Sequence, residues 1–321
     1  MKPEQIQIAA RELLNEIYAS QKPANEIINT YTRSRRYIGS KDRHALTDLV
    51  WADIKQQPTP QWLTEYVPQK ELEIMQQTPS HTILRVNGDR EQMQKQLSEQ
   101  GIESTLTPLS PLGLILTKRT NLNNLDAYKE GLIEVQDEGS QLVTLAMGIQ
   151  PNNTVLDYCA GAGGKSLCLA QIMQNKGKIV AHDISKTSLK ELQKRALRAK
   201  TNIITINTHP TGTFHHVVVD APCSGSGTWR RNPDGRLKLT REQLTALTKT
   251  QAAILNKVVS FVMPNGYLHY ITCSLIKDEN QSQANAFLKK HPDFKLIHHQ
   301  QWTPAKTNTD GFFLATFQKI K

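Results

Sequence analysis

The spacing of apolar residues changes character twice along the chain. From Gln5 to Ser20, Ile6, Ala9, Leu13, Leu14 and Tyr18 recur at helical intervals, and Ala45 to Ile54 continues in the same style, so the first ~70 residues read as a small helical unit. QQPTPQW (56–62) breaks it, because proline cannot continue a helix. HTILRV (81–86) and LGLILT (112–117) then read as short strands around a polar helix at Arg90–Gln100, a small α+β module whose pattern runs to about Ala127. Beyond residue 150 strands and helices alternate. TVLDY (154–158), KIVAH (178–182), NIITI (202–206), HVVVD (216–220) and YLHYIT (267–272) read as buried strands, with helices at Ser166–Gln174, Lys186–Lys200, Arg241–Val262 and Glu279–Lys290. This alternation predicts an α/β fold, a mostly parallel Rossmann-like sheet with helices on both faces, whose ligands bind beyond the carboxyl ends of the strands. The expected division is a helical unit over 1–72, an α+β module over 73–145 and a Rossmann-like domain over 146–321.

Composition narrows the function classes. A chain of 321 residues has room for about two domains and a sizeable core. No stretch approaches the ~20 apolar residues of a membrane span, and MKPEQIQIAARELL lacks a basic-then-apolar leader pattern, so a cytoplasmic protein is expected. The formal charge of +10 is unevenly placed: residues 1–150 carry −3 and residues 151–321 carry +13. That asymmetry directs attention to the second half and to a polyanionic partner. Cys159, Cys168, Cys223 and Cys273 all lie there, without a C-x-x-C pair or zinc spacing, so reduced thiols and no metal site are expected.

The first strand of this half ends in Asp157-Tyr-Cys-Ala-Gly-Ala-Gly-Gly-Lys165-Ser166 and runs into a helix. Glycines there permit a tight turn and leave a ligand room against the helix N-terminus. A phosphate-binding P-loop would need glycine at position 159, which is Cys, and a dinucleotide fingerprint would need Gly or Ala at 166, which is Ser. Asp183 closes the next strand, where an acid can accept hydrogen bonds from ribose hydroxyls. A nucleoside cofactor without a pyrophosphate fits this arrangement, and S-adenosylmethionine is the natural candidate. The plainer alternative is a glycine turn that serves only helix–sheet packing.

Two more strands end beside cysteines, in Asp220-Ala-Pro-Cys223 and Thr272-Cys273-Ser274. A lone cysteine most often packs as a small hydrophobe. Two at one sheet edge suggest chemistry instead. Carbon 5 of a pyrimidine becomes nucleophilic only after a thiolate adds to carbon 6; a carboxyl group beside ring nitrogen 3 stabilises the adduct, and a base then removes the carbon-5 proton. Asp220, Cys223 and Cys273 form such a set, in which residue chemistry alone leaves the two cysteines interchangeable. Cys159 lies in the cofactor turn and Cys168 inside a helix, which favours packing for the latter.

CAGAGGK (159–165), DAPCSGSGTWRRNPD (220–234) and YITCSL (270–275) closely resemble motifs of the Fmu/Sun family of S-adenosylmethionine-dependent RNA 5-methylcytosine methyltransferases. LRVN (84–87), GLIEVQDEGSQLV (131–143) and DGFFLA (310–315) extend the resemblance from about residue 81 to the end, and RRYIGSKDRHALTDLVW (35–51) is more loosely similar to the helical N-terminal region of bacterial members. The resemblance implies a class I methyltransferase domain behind an RNA-recognition-like module. It makes Cys273 the nucleophile and Cys223 the group that assists product release. Cys159, Ala160, Gly161, Ala162, Gly163, Gly164, Lys165, Asp183 and Asp220 would line the S-adenosylmethionine pocket, with Asp220 also facing the cytosine. RNA is the implied partner, ribosomal RNA before transfer RNA, with no obligate protein partner or membrane. Three departures stand out: Gly161-Ala162 replaces the family's usual Ala-Pro, Asn207 stands where an acid usually holds the adenine amino group, and the N-terminal region is short. A DNA cytosine methyltransferase and a non-catalytic RNA-binding or ribosome-assembly factor are the alternatives.

Three basic groups are candidate RNA contacts, although the first, a charged helical stripe, reads by itself as a solvated face and the third also fits a helix-connecting loop. Lys186, Lys190, Lys194 and Arg198 make a helical stripe flanked by Arg195 and Lys200; Arg230, Arg231, Arg236, Lys238 and Arg241 follow Cys223; Arg33, Arg35, Arg36, Lys41 and Arg43 lie near the N-terminus. The second group is expected to hold phosphates around an unstacked cytosine, with Trp229 either stacking on a base or packing under the loop.

Overall fold

A computed structural model describes residues 1–35, 37–118 and 120–320. The chain begins with helices α1 (Pro3–Ala19), α2 (Ala24–Ser34) and α3 (Ser40–Gln56), whose apolar faces meet through Leu13, Ile17, Ile27, Leu46, Val50 and Ile54. After α4 (Gln69–Gln77) come β1 (Ile83–Val86), α5 (Arg90–Glu99), β2 (Ser104–Leu106), β3 (Gly113–Leu116), α6 (Asp126–Lys129) and β4 (Ile133–Val135). The four strands form an antiparallel sheet in the order β2-β3-β1-β4, so this sheet takes its last strand from beyond Ala127, where the sequence pattern fades. Asp89 starts α5 by accepting hydrogen bonds from the amides of Glu91 and Gln92.

The remainder is α7 (Glu138–Leu145), β5 (Thr154–Asp157), α8 (Gly164–Ile172), β6 (Lys178–His182), α9 (Lys186–Arg198), β7 (Ile203–Ile206), β8 (Phe214–Asp220), α10 (Gly235–Lys238), α11 (Arg241–Val258), β9 (Val262–Thr272), α12 (Gln281–Lys290), β10 (Phe294–Trp302), α13 (Pro304–Thr307) and β11 (Phe312–Lys319). Its strands form one sheet in the order β10-β11-β9-β8-β5-β6-β7, parallel from β9 through β7. β11 runs antiparallel to both β9 and β10. Alternate residues feed opposite faces: Leu156, Val217, Val219, Tyr270 and Phe313 pack with Leu255, Val258 and Phe287, while Val155, Val218, Ile271 and Leu314 pack with Val143, Leu169 and Met173. The order of strands reverses between β5 and β8, which places a ligand crevice at their carboxyl ends.

Most of the basic run after Cys223 is internal. Arg236 is 2% exposed and donates to the carbonyls of Pro233, Ile54, Lys55 and Gln57, satisfying the C-terminal end of α3. Asp234 Oδ2 accepts from the Ala24 amide at 2.8 Å, and Lys238 reaches Asp234 and the Lys22 carbonyl. Arg230 and Arg231 pair with Asp310 and Asp137, and Arg230 is 3% exposed. Arg241 pairs at the surface with Glu65. The expected phosphate-binding role of Arg230, Arg231 and Arg236 is therefore corrected: buried carboxylates and carbonyls already use their guanidinium groups. Arg195 and Arg198 are likewise drawn from the basic stripe to Glu134 on β4, whereas Lys186, Lys190, Lys194 and Lys200 stay exposed. Arg33 and Lys41 are exposed, Arg35 lies over the Tyr31 ring, Arg43 donates to the Ile38 carbonyl, and Arg36 lies outside the described residues.

A chain of polar contacts crosses the large sheet's interior. His216 Nδ1 lies 2.9 Å from His269 Nε2, and His269 Nδ1 lies 3.0 Å from Thr316 Oγ1. Burial lowers both imidazoles, His216 to about 4 and His269 well below the ordinary value.

Two outcomes follow from these contacts. Arg230→Ala leaves Asp137 and Asp310 undercompensated and lowers unfolding free energy by about 3 kcal/mol in a urea titration; unchanged stability with a flatter salt dependence of RNA binding would restore the surface role. Above an unfolded-chain pKa of ~6.5 both histidines are neutral in either state, and below it the unfolded chain takes up protons first. Stability from this pair is thus lost as pH falls from ~6.5 towards 4, and His216→Phe should flatten that part of the urea-midpoint profile.

Candidate active site

The glycine turn connects β5 to α8. Gly161 and Gly163 have φ of +52° and +83°, left-handed values that glycine accepts without strain. At Gly163 a Cβ would lie 2.4 Å from Leu192 Cγ of α9, so the close helix packing also requires glycine there. At Gly161 and Gly164 a Cβ would meet nothing within 4 Å, leaving an open cradle at the head of α8. Asp183, just after β6, fixes this turn: its Oδ2 accepts from the Gly161 amide at 2.8 Å and its Oδ1 from the Ser185 amide at 2.7 Å. Beneath it, Asp157 Oδ2 accepts from Ser166 Oγ at 2.6 Å, and burial pushes its carboxyl up to about 7. Ala160 and Ala162 complete the turn; the Ala162 carbonyl accepts from Arg195. Asn207 is exposed immediately after β7.

The cysteines separate into two kinds. Cys168 is fully buried in α8, as its helical position predicts. Burial, reinforced by the charges of Asp157, Asp220 and Asp183, strongly raises the Cys159 thiol and makes it a poor nucleophile. Cys223 and Cys273 instead follow two neighbouring parallel strands, since Asp220 of β8 pairs with Ile271 of β9. Their sulfurs are 3.4 Å apart and both residues are partly exposed. The hydrogen bond to Cys273 and burial push the Cys223 thiol up. Lys165 Nζ lies 2.6 Å from Asp220 Oδ2. Burial works against the Lys165 charge, but Asp220 more than offsets it and raises the ammonium pKa.

Glu279 and its surroundings were not singled out by the sequence. Its carboxylate, fully buried, accepts from the Ser224 amide at 2.8 Å, Ser224 Oγ at 2.5 Å, Ser274 Oγ at 2.5 Å and Gln251 Nε2 at 3.0 Å. Ser226 Oγ bridges the same segments, lying 2.9 Å from Ser274 Oγ and accepting from the Leu275 amide. Asn280 accepts from Thr272 Oγ1 and donates to the Ser274 carbonyl. A glutamate at the start of a helix ordinarily reads as exposed, so only the serines after both cysteines hinted at such a cage. Trp229 is 2% exposed and packs with Leu239, Leu244, Leu275 and Ile276, which settles its role as support beneath the loop. A cavity of about 750 Å³ adjoins Cys223, walled by Thr228, Asn232 and Gln243 and, from the N-terminal region, by Gln21 between α1 and α2 and Asn25 of α2.

The profile of the 16S rRNA methyltransferase RsmB/F family matches residues 144–318, which contain the glycine turn and both cysteine loops. This chain belongs to that family. It is 32% identical over 270 residues to the probable ribosomal RNA small subunit methyltransferase B of Bacillus subtilis, covering 75% of this chain and 60% of that protein. The protein of the same description from Synechocystis is 30% identical over 335 residues, covering 93% and 75%. The crystal structure of PH0851 superposes with a TM-score of 0.77 at 27% identity, covering 92% of this chain and 76% of that one. The chain spans about three-fifths of the length of several of the curated relatives it matches.

S-adenosylmethionine is the cofactor of RsmB/F methyltransferases. The cradle fits it: Gly161 and Gly164 border open space at a helix N-terminus, and the Asp183 carboxylate keeps lone pairs beyond the two that hold the turn. Among the described residues no helix is long and apolar enough to cross a membrane, and no cluster of three or more His, Cys, Asp or Glu side chains is placed to hold a metal ion. Gly163→Ala adds strain at positive φ and a clash with Leu192, and should weaken S-adenosylmethionine binding by at least about tenfold in calorimetry; unchanged affinity would show that the turn tolerates movement of α9.

Proposed function

We propose that this protein methylates carbon 5 of cytosine in RNA, with ribosomal RNA as the substrate. The supporting observation is the pair of sulfurs 3.4 Å apart at the ends of adjacent strands, in the same site as the Lys165–Asp220 ion pair. Residues 159–165 with Asp183 and Asp220 would hold S-adenosylmethionine, which supplies an electrophilic methyl group. Cys273 Sγ, as thiolate, adds to carbon 6 of the cytosine, forming an S–C bond and placing electron density on carbon 5 and ring nitrogen 3. Ring nitrogen 3 takes up a proton there: the Lys165 ammonium gives one to Asp220, whose carboxyl O–H then donates to nitrogen 3 and neutralises that charge. After methylation the proton on carbon 5 must leave; its electron pair re-forms the ring double bond and expels Cys273 Sγ.

Cys223 is suited to that last step. Its foremost reason for staying protonated is the hydrogen bond with Cys273. Once Cys273 Sγ is bonded to carbon 6, it no longer shares a proton as a free thiol or carries a thiolate charge. Cys223 can then release its proton to solvent and accept the one from carbon 5.

RNA containing 5-fluorocytosine lacks the proton that Cys223 would remove, so with S-adenosylmethionine it should form a covalent complex stable to denaturing electrophoresis. Cys273→Ser should abolish that complex, and Cys223→Ala should accumulate an adduct with ordinary RNA. Trapping lost only in Cys223→Ser would exchange the two roles. Preferential methylation of matched DNA would make the protein a DNA enzyme, and an absence of cofactor binding would make it a non-catalytic RNA-binding factor.

A further inference from the structure

We propose that Glu279 is the positioning residue of the cysteine pair: its buried carboxylate clamps the loop after β8 to the turn after β9, fixing the separation and inequivalence of Cys223 and Cys273. The inference rests on the cytosine-5 reading for its catalytic consequence, but its geometric content is independent. The two cysteines lie on separate segments, 50 residues apart in the chain. Strand pairing aligns those segments as far as Asp220 and Ile271, and the Gly227 amide, donating to the Cys273 carbonyl at 2.9 Å, with Ser226 joins them further on, but none of these contacts holds the residue directly after Cys223. Glu279 does, because Ser224 immediately follows Cys223 and Ser274 immediately follows Cys273, and both hydroxyls donate to the same Oε2. The Ser224 amide and Gln251 hold the other carboxylate oxygen.

The carboxylate is itself held rigidly. The Tyr270 hydroxyl donates to the Glu279 carbonyl at 2.5 Å, and Asn280 ties the following residue to Thr272 and Ser274. Its four donors are neutral groups, so the negative charge stays in the cage. That charge adds to the effects keeping Cys223 protonated, after the Cys273 hydrogen bond, burial and the Cys273 charge. The arrangement therefore favours a proton on Cys223, whereas Cys273 is the cysteine whose charge supports the Lys165 ammonium. Glu279 does not touch the reacting carbon in this scheme; it acts through the two sulfurs.

Glu279→Gln in the full chain removes the charge and makes one acceptor a donor, so the serine hydroxyls must turn or separate. Brief alkylation with iodoacetamide at neutral pH, read by peptide mass spectrometry, reports the relative reactivity of the two thiols. Wild type should modify Cys273 ahead of Cys223, and a folded Glu279→Gln should reduce that preference by about tenfold, one pKa unit of selectivity. Its kcat should fall with the KM for RNA unchanged. An unchanged alkylation ratio in a folded variant overturns the inference. Should Glu279→Gln fail to fold, Ser224→Ala removes one donor from an otherwise intact clamp and must shift the ratio in the same direction; an unchanged ratio there overturns it equally. If the ratio shifts but the wild type transfers no methyl group to RNA, the positioning role stands and the cytosine-5 reading fails.

Discussion

Two sulfurs 3.4 Å apart cannot both carry a full negative charge without a large cost, and this constraint organises the site. In the proposed reaction one thiol holds a proton while the other is the nucleophile, and their surroundings set the two apart. Cys223 lies against the Glu279 cage, while Cys273 contributes to the field around the Lys165 ammonium. The asymmetry is renewed at each stage of the proposed reaction, because covalent addition at one sulfur changes the proton affinity of the other.

The surrounding fold keeps that edge of the sheet rigid. Parallel pairing of β8 and β9 delivers the two loops side by side, and alternating apolar residues anchor both faces of the sheet. Ion pairs then attach the other parts of the chain. Glu134 of the small sheet takes Arg195 and Arg198 from α9; Asp137 and Asp310 take Arg230 and Arg231; Arg236 closes the C-terminal end of α3. The loop after Cys223 thus carries charge chiefly for assembly. Its neighbouring cavity includes Gln21 and Asn25, so the N-terminal region helps shape the space beside the cysteine.

The parts legible in sequence were those where one residue type has a narrow physical meaning. Glycines between Asp157 and Ser166 marked the turn because left-handed backbone and close helix approach both demand them. Cysteines placed just after strands marked the sheet edge, and the large sheet's parallel strands announced themselves by short apolar runs. Charge was harder to interpret. Arg230 and Lys186 contribute equally to a count of +10, yet one is enclosed by carboxylates and the other stands in solvent. Glu279 was missed for the same reason, since its burial depends on serines and a glutamine distant in sequence. β2, β4, β10 and β11 were not read as strands: β2 and β4 are three-residue edge strands, β10, FKLIHHQQW, exposes most of its residues, and β11, FFLATFQK, is an interior strand noticed only through the DGFFLA motif.

The proposed reaction leaves a methyl group on carbon 5 of cytosine in ribosomal RNA. Bisulfite sequencing of total RNA from cells with and without the gene tests it most directly, because 5-methylcytosine resists the conversion that cytosine undergoes. A small number of ribosomal RNA cytosines, protected when the gene is present, should become fully converted when it is removed. Identical conversion patterns in the two RNA populations, under conditions where the protein is expressed, would contradict it.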